Sequence, residues 1–427
     1  MGRLQVLALI ALLSFHLGCG PQSVDRSQES DVGRSSAASM PTTSTADLFP
    51  QKAEIRHATG FTVTYHGNYK VVQVAAEARS MQLSIEEGLA WEEATVDQLV
   101  LVQRGTVAPP ATGPLASATF LEVPIRSAAV NRDADALRIK HLGFMDRLIG
   151  IGGTGIYDPE LRARVESGTL AAIGSALHRT MNLELLLTEA PEAIFLRVAS
   201  LDHTYEFHRL RDLGLPSVPV YAWTETTGLA RAEWLKYVAL FFNAEAEAER
   251  QFKEIEDRYD ELTTLANAAT QHPKAIWAYS SRAGGWRVHR RGVEAGLLHD
   301  AGLSNVMALD DAALSAGRAG HSEGLPLSDE RFLQQASEAE IWVTWSPNDE
   351  SWPSARYLDS FFAYREDNVY HHRKRRLASV GADDWYELGQ LRPDLILADL
   401  IAVAHPEHLP DHELIFLERL RRTKQVF

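Results

Sequence analysis

"AEAEAERQFKEIEDRYDELTTLAN", residues 244–267, is the longest helical stretch in the chain. Phe252, Ile255, Tyr259 and Leu262 recur at three- and four-residue spacing, which makes one apolar stripe. Asn243 reads as the cap, and Glu245, Glu247 and Glu249 crowd the first turns, where the helix dipole favours acids. Helical throughout, the segment reaches ~36 Å, the width of a small domain. Such a helix is a surface helix of one lobe or a strut between two, and the flanking sequence bears on which.

On its N-terminal side, "TTGLARAEWLKYVALFF" (226–242) reads as another helix. Before that, helices and strands alternate. "DADALRIKHLGFMDRL" is helical, and "PELRARVESG" opens with Asp158 as cap and Pro159 in the first turn. "NLELLLTEA" and "TYEFHRLRDLG" are helices that precede the strands "EAIFLRVA" and "PSVPVYAW". Earlier still, "GFTVTYHGNYKVVQVAAEA" alternates around a tight turn at Gly67-Asn68, and "DQLVLVQRG" and "ATFLEVPIRSAAVN" read as further strands. On the other side, after Pro273, the alternation restarts. "KAIWAYS", "AEIWVTW" and "NVYH" are strands. "GVEAGLLHDAG", "LSDERFLQQA", "ARYLDSFFAYRE" and "LRPDLILADLIAVAH" are helices. Alternation of this kind argues for α/β architecture with largely parallel sheets.

The two sides echo each other. "NLELLLTEAPEAIF" (182–195) aligns without gaps against "SDERFLQQASEAEI" (328–341), matching Glu184 to Glu330, Leu187 to Leu333 and Ala190 to Ala336. Asn182 and Ser328 are both good caps. In each case a glutamate lies two residues past the cap and an apolar strand follows the helix. Duplicated architecture is the better explanation. The domain reading is therefore an export signal at 1–18, a Ser/Thr-rich tether at 19–58, a first α/β lobe at 59–225, a helical connector at 226–271 and a second α/β lobe at 272–427.

These marks, in this order, resemble the periplasmic substrate-binding proteins of iron-siderophore and cobalamin ABC transporters. The residues that carry the resemblance are "FTVTYHGNYKVVQV", the "GIGG" turn, "NLELLLTEAPEAIF", "GLARAEWLKYVALFFNAEAEAE" and "DWYELGQLRPDLILADLIAVAHPEHLPDHEL". The resemblance covers about 59 to 420. It implies two α/β lobes with mainly parallel sheets, joined by one long backbone helix, with a ligand cleft between them and small closure on binding. It implies no catalysis and no resident cofactor. The ligand would be a metal chelate, with ferric siderophore placed before cobalamin and haem. The partner would be an iron/cobalamin-type ABC permease with its ATPase, and the protein would be a monomer. Glu184 and Glu330 would dock against permease arginines, where charge pairs set register and on-rate. The same two acids also suit the helix dipole.

The composition agrees with an exported binding protein. Among 427 residues, 45% are hydrophobic and 23% charged, with a net charge of −15. That charge argues against nucleic acid, since phosphate binding needs a basic surface. "MGRLQVLALIALLSFHLGCG" has Arg3 and then an apolar run too short to span a bilayer, which needs ~20 residues. Its end resembles a lipoprotein signal in which Cys19, the chain's single cysteine, is lipidated, although His16 stands where an aliphatic residue is usual. Disulfides and thiolate chemistry are thereby excluded. The tether cannot bury enough apolar surface to fold.

In open α/β sheets ligands bind at the C-terminal ends of strands. That rule nominates Arg126, Thr154, Tyr157, Arg197 and Trp223 from the first lobe. From the second it nominates Arg282, Trp286, Arg290, Trp345, His371 and Arg373. Arginines beside aromatics suit a bulky anionic or aromatic ligand, because guanidinium pairs with carboxylate and stacks on rings. The basic run "HHRKRR" (371–376) is placed at the cleft rim, and Asp383-Asp384 is read as a solvated turn. A bare zinc or manganese ion is the alternative cargo, with His203, Glu225, His289 and His371 as its conceivable ligands. "HPEHLPDHE" holds three histidines, but Pro406 and Pro410 break the helix that would align them. An exported hydrolase is the alternative from another class. No G-x-S-x-G, H-E-x-x-H or phosphate-loop motif is present. Gly150-Ile-Gly152-Gly153-Thr154-Gly155 has the letters of a dinucleotide loop. Only two residues separate it from the preceding helix, and the next helix waits for Asp158. It is read as a flexible turn at the cleft, with Thr154 and Tyr157 facing ligand.

Overall fold

A computed structural model describes residues 46–76, 95–153, 155–174, 181–198, 201–281, 284–308, 325–345, 353 and 355–420, and the elements below are those among them. Cys19, Thr154 and Arg282 lie outside the described residues. So do the signal and the part of the tether before residue 46.

The first strands form a sheet of their own. β1 (Phe61–His66), β2 (Tyr69–Ala76) and β3 (Thr95–Gln103) are antiparallel neighbours, with His66 opposite Tyr69 across the Gly67-Asn68 turn. β4 (Thr119–Val123) adds parallel to β3. The segment 118–131 is not continuous. After a cis Val123–Pro124 bond the chain leaves this sheet and restarts as β5 (Ala128–Val130) in the next.

From there the α/β alternation predicted by the sequence takes over. α1 (Asp133–His141), β6 (Leu148–Ile151), α2 (Pro159–Glu166), β7 (Ala171–Ala172), α3 (Leu183–Glu189), β8 (Ala193–Arg197), α4 (Leu201–Asp212) and β9 (Ser217–Val220) follow in order. The strands make an all-parallel sheet in the order β7-β6-β5-β8-β9. Its central strands β5, β8 and β9 are buried and mostly apolar, as a helix-covered parallel sheet requires.

α5 (Gly228–Ala239) is buried along its whole length. Phe61 of β1 meets Trp234 at 5.0 Å and Tyr237 at 5.2 Å, while Tyr237 Oη donates to Pro219 O at the end of β9 (2.9 Å). Burial includes its charges. The Glu233 carboxylate accepts the N–H groups of Arg56, His57 and Ala58 and pairs with Lys236, so the N-terminal segment is tied to this helix.

α6 (Glu245–Asn267) is the predicted long helix. It buries the predicted stripe of Phe252, Ile255, Tyr259 and Leu262. Its N-cap is Ala244 rather than Asn243. Asn243 adopts a left-handed φ of 53° between α5 and α6, and its side chain bonds Lys70 and Gln103 instead. α6 lies against α5 before it and against two later helices, α7 (Val293–Asp300) and α12 (Pro393–Ala404); Tyr259 Oη donates to Asp300 at 2.6 Å.

The second α/β half is built on β10 (Lys274–Ser280), β11 (Trp286–Val288), β12 (Ser304–Asn305), β13 (Leu325–Leu327), β14 (Ile341–Thr344), β15 (Val369–His371) and, at the end of the chain, β18 (Glu418–Arg419). β12, β10, β14 and β15 run parallel, while β11 pairs antiparallel with β10, β13 antiparallel with β11, and β18 antiparallel with β15. α8 (Asp329–Ala336) precedes β14. The single helix expected over 355–366 is two short ones, α9 (Ala355–Leu358) and α10 (Phe362–Arg365). A hairpin of β16 (Arg376–Leu377) and β17 (Ala382–Asp383) leads through α11 (Leu388–Leu391) into α12.

Trp286, Phe332, Trp342 and Phe361 pack a core cluster of this half, with Trp286 stacked on Phe332 at 4.1 Å. "HPEHLPDHE" is structural. His412 Nε2 lies 2.7 Å from Asp399 of α12, whose carboxylate also accepts the N–H groups of Ile415, Phe416 and Leu417.

Candidate ligand cleft

The C-terminal ends of the parallel strands in both halves open on one cleft of about 700 Å³. That is within the ordinary range for small-molecule sites, ~300–1,000 Å³.

The first half contributes a cationic wall. Asn131, just past β5, ties the ends of β5 and β8 together: its Oδ1 accepts from Arg197 N (2.8 Å) and its Nδ2 donates to Arg197 O (3.4 Å). Gly152 must be glycine for this, since a Cβ there would stand 2.4 Å from Asn131 O. The Arg197 guanidinium lies 5.3 Å over the Trp223 ring, and Trp223 Nε1 donates to Val198 O (3.0 Å). No side chain among the described residues hydrogen-bonds that guanidinium. Burial, with Arg132 and Arg231 nearby, brings its pKa down to about 10. Deeper in, Arg138 pairs with Asp135 at 2.6 Å and donates to Arg231 O.

The second half contributes an aromatic and imidazole wall. Tyr279 is the penultimate residue of β10, with Trp345 edge-on at 5.5 Å and the His289 ring at 5.9 Å. His289 Nδ1 sits 3.3 Å from Glu294 of α7. Burial alone would raise the Glu294 carboxyl; the His289 ring, with Arg231, brings it down to about 2 instead. His372 stacks on Trp385 at 4.2 Å and 9°, and neither ring nitrogen has a partner among the described residues. Burial keeps it neutral, with a pKa of about 3.

The halves also touch beside the cleft. Glu387 of the second half is fully buried and accepts the backbone N–H groups of Tyr157 and Asp158, at the amino end of α2. Arg375 lies 4.9 Å over the Tyr157 ring, and a Cβ on Gly155 would come within 2.8 Å of Val380 O. Burial, then Asp133, pushes the Glu387 carboxyl up to about 8, against those two N–H bonds.

The structure brings Arg197, Trp223 and Trp345 to the cleft wall. Arg373 stands behind it, 5.2 Å over the Trp345 ring and bonded to Asp383 (2.7 Å). Other nominees fall elsewhere. Arg126 precedes β5 and so lies at the opposite sheet edge, exposed, its N–H on Glu192. Trp286 is 1% exposed within the second core. Arg290 donates to Met307 O (2.8 Å). His371 faces Glu418 at 3.5 Å, whereas its neighbour His372 lines the cleft. Tyr157 belongs to the Glu387 contact.

Two arginines of the basic run are spent on internal carboxylates. Arg373 and Arg375 pair with Asp383 and Asp384, so that acid pair is buried rather than a solvated turn. The glycine run begins inside β6 rather than in a turn: Gly150 is a strand residue, and a Cβ there would meet Ile173 at 2.6 Å. Glu225 accepts Thr59 N, Gly60 N and Trp234 Nε1, so it is unavailable to a metal. Among the described residues no group of three His, Cys, Asp or Glu side chains could hold an ion.

Asn131, Arg231, Glu294 and Glu387 were not nominated from the sequence, and His372 was reached only as a member of the run 371–376 placed at the cleft rim. The available signal was charge inside apolar helices, as in Arg231 of "GLARAEWLKYVA".

Comparison with known proteins adds to this geometry. The profile of the family described as periplasmic binding protein matches residues 133–375. A protein described as an uncharacterized lipoprotein of Methanocaldococcus jannaschii is 24% identical over 257 residues, 59% of this chain. The match spans 56% of that relative, little more than half its length. The solved structure of Helicobacter pylori CeuE with Ni(II) bound superposes with a TM-score of 0.50 at 16% identity, over 69% of this chain and 88% of that one. This likeness shows the fold. A periplasmic haem-binding protein, RhuT from Roseiflexus sp. RS-1, gives 0.49 at 19% identity, over 66% of this chain and 99% of that one.

Proposed function

The chain belongs to the periplasmic binding protein family, whose members bind solutes and do not catalyse, and from that premise we propose that it captures a metal chelate and hands it to an ABC permease driven by its ATPase. The observation that carries the ligand class is Arg197, whose guanidinium has no hydrogen-bonding side chain among the described residues while it lies over Trp223 in the cleft wall. A half-buried guanidinium with no hydrogen-bonding side chain suits an anionic ligand with a flat unsaturated surface, which supplies both the charge and the stack. Trp345 and Tyr279 offer apolar surface on the facing wall. Ferric siderophores with catecholate or carboxylate arms and haem with its propionates offer such groups, cobalamin offers a flat corrin and one phosphodiester, and we place ferric siderophore first.

We place the protein outside the cytoplasm on a lipid anchor at Cys19, as a monomer. The relative's description as a lipoprotein supports the anchor. Among the described residues no helix is long and apolar enough to cross a membrane. For docking, Glu184 and Glu330 carry the reading. Both are exposed at the second position of matched helices, capped by Asn182 and Ser328, each preceding a parallel strand.

A thermal-shift screen of the full chain against ferric siderophores, cobalamin, haem and bare divalent ions tests the cargo. A ligand at 100 times its Kd stabilises the folded state by about 2.7 kcal/mol. A shift with zinc or manganese alone would overturn the chelate. Replacing Glu184 and Glu330 together with alanine should abolish uptake and leave binding intact; normal uptake would sink the docking role.

A further inference from the structure

One carboxyl joins the two halves, and cargo capture by stacking and charge makes no use of it. Glu387 stands just before α11, is 0% exposed, and meets the first half with both oxygens. Oε1 accepts Tyr157 N and Oε2 accepts Asp158 N (3.0 Å), at the amino end of α2. We propose that Glu387 is a proton-coupled latch: its neutral carboxyl holds one end of the cleft shut, and parting the halves at that end releases the proton to solvent. The proposal needs no assumption about the cargo.

The seam lies at the cleft itself. Gly155 of the first half and Gly381 of the second both line it. A Cβ on Gly155 would come within 2.8 Å of Val380 O and 3.5 Å of Gly381 C, so the β16–β17 hairpin rests directly on the first half. Arg375, at the foot of that hairpin, lies 4.9 Å over the Tyr157 ring. Arg162 donates to Ile156 O (3.0 Å) and Tyr157 O (2.8 Å), which fixes the chain that presents the two N–H groups.

The other acids around the seam have cations of their own. Asp158 is bonded by Lys140 (2.8 Å) and Asp384 by Arg375 (2.5 Å). On α1, Asp133 lies 3.6 Å from Arg132, and Asp135 is bonded to Arg138 (2.6 Å). On α5, which packs against α11, Lys236 pairs with Glu233 (3.0 Å) and Arg231 donates to Trp223 O (3.4 Å). Arg392, after α11, is bidentate on Asp394. No described cation pairs with Glu387. The α2 dipole favours an anion, but the Asp158 carboxylate already caps that helix. Ionised in place, Glu387 would be a buried charge offset by two N–H groups alone, which is costly. Neutral, it keeps both contacts, because each oxygen of the acid can still accept.

Burial, then Asp133, holds the closed carboxyl at about 8, against an ordinary 4.5 in water. The closed seam therefore keeps a proton that the open seam gives up. Opening becomes easier as pH rises, by about tenfold per unit across that interval, and the gain stops above about 8.

The test uses the full chain with its single cysteine removed as Cys19→Ser and spin labels at Glu166→Cys on α2 and Glu407→Cys past α12, both exposed. Double electron–electron resonance gives the distance between halves at pH 5 and pH 9, with near-ultraviolet circular dichroism showing that the fold persists. The chain with Glu387 should gain a longer-distance population at pH 9, at least several-fold larger than at pH 5. Glu387→Gln should give one distribution at both pH values, because the amide does not titrate. Glu387→Ala should show the longer population already at pH 5. An unchanged distribution in the Glu387 chain, or the same pH response in Glu387→Gln, would overturn the latch. If neither variant folds, hydrogen-exchange protection of the Tyr157 and Asp158 amides decides, corrected for the intrinsic rate: a fall between pH 5 and 9 supports the latch, and constant protection refutes it.

Discussion

Replacing Glu387 with glutamine should change how stability depends on pH. In the folded chain this carboxyl is fully buried, accepts two N–H groups from the amino end of α2, and titrates near 8 rather than 4.5. A raised acid pKa means that the folded state keeps a proton which the unfolded chain has already released. Its stabilising contribution is complete below pH 4.5, falls as pH rises, and is gone above about 8. At about 1.4 kcal/mol per pH unit the interval corresponds to on the order of 5 kcal/mol. Glutamine does not titrate. It keeps one acceptor oxygen for the two N–H groups, at a pH-independent cost of about 1–3 kcal/mol. The variant should be equal to or weaker than wild type at pH 4.5, and more stable by a few kcal/mol at pH 9. Urea unfolding of both full-length proteins across that range measures the difference directly. A wild-type-minus-variant difference that stays constant with pH would refute the reasoning and would assign the pH dependence to other groups.

Arg197→Ala should weaken binding of an anionic chelate by about 10- to 100-fold, the worth of a charged hydrogen bond, whereas Arg126→Ala should change nothing; fluorescence titration reads both. Trp286→Ala should cost about 3–5 kcal/mol in denaturant and still show ligand-induced quenching, because its ring serves the second core and not the cleft. Lys70→Met should cost about 3–5 kcal/mol by leaving the buried Glu245 carboxylate unpaired. Adding Glu245→Leu should recover most of that loss, and a double variant no more stable than the single one would sink the pairing argument.

β6 was hidden where Leu148 read as helix and Gly150 as a turn, whereas the long helix, its buried stripe, the two echoed helices with their exposed glutamates and the parallel strands β8, β9, β10, β14 and β15 were legible in order along the chain. Each rests on a local periodicity or on a cap, and such signals survive without knowledge of what lies across the molecule. The cleft was legible only in part. Arg197, Trp223 and Trp345 follow from the rule that ligands meet the C-terminal ends of strands. Arg126 failed the same rule because one apparent strand was two, in different sheets, which placed it at the wrong end of β5.

Facing was the harder matter. In an extended segment, side chains alternate sides, so composition alone could not say that His372 would line the cleft while His371 turned to Glu418. Nor could it say that Asp383 and Asp384 would be taken by Arg373 and Arg375, or that Glu387 would reach the amino end of α2 some 230 residues earlier. By itself, then, the sequence determined the elements, their order and their apolar faces, because those are set by near neighbours. Only the tertiary structure decided which charges are paired and which face the ligand, because an ionic or hydrogen-bonding partner is chosen by proximity in space and not by distance along the chain.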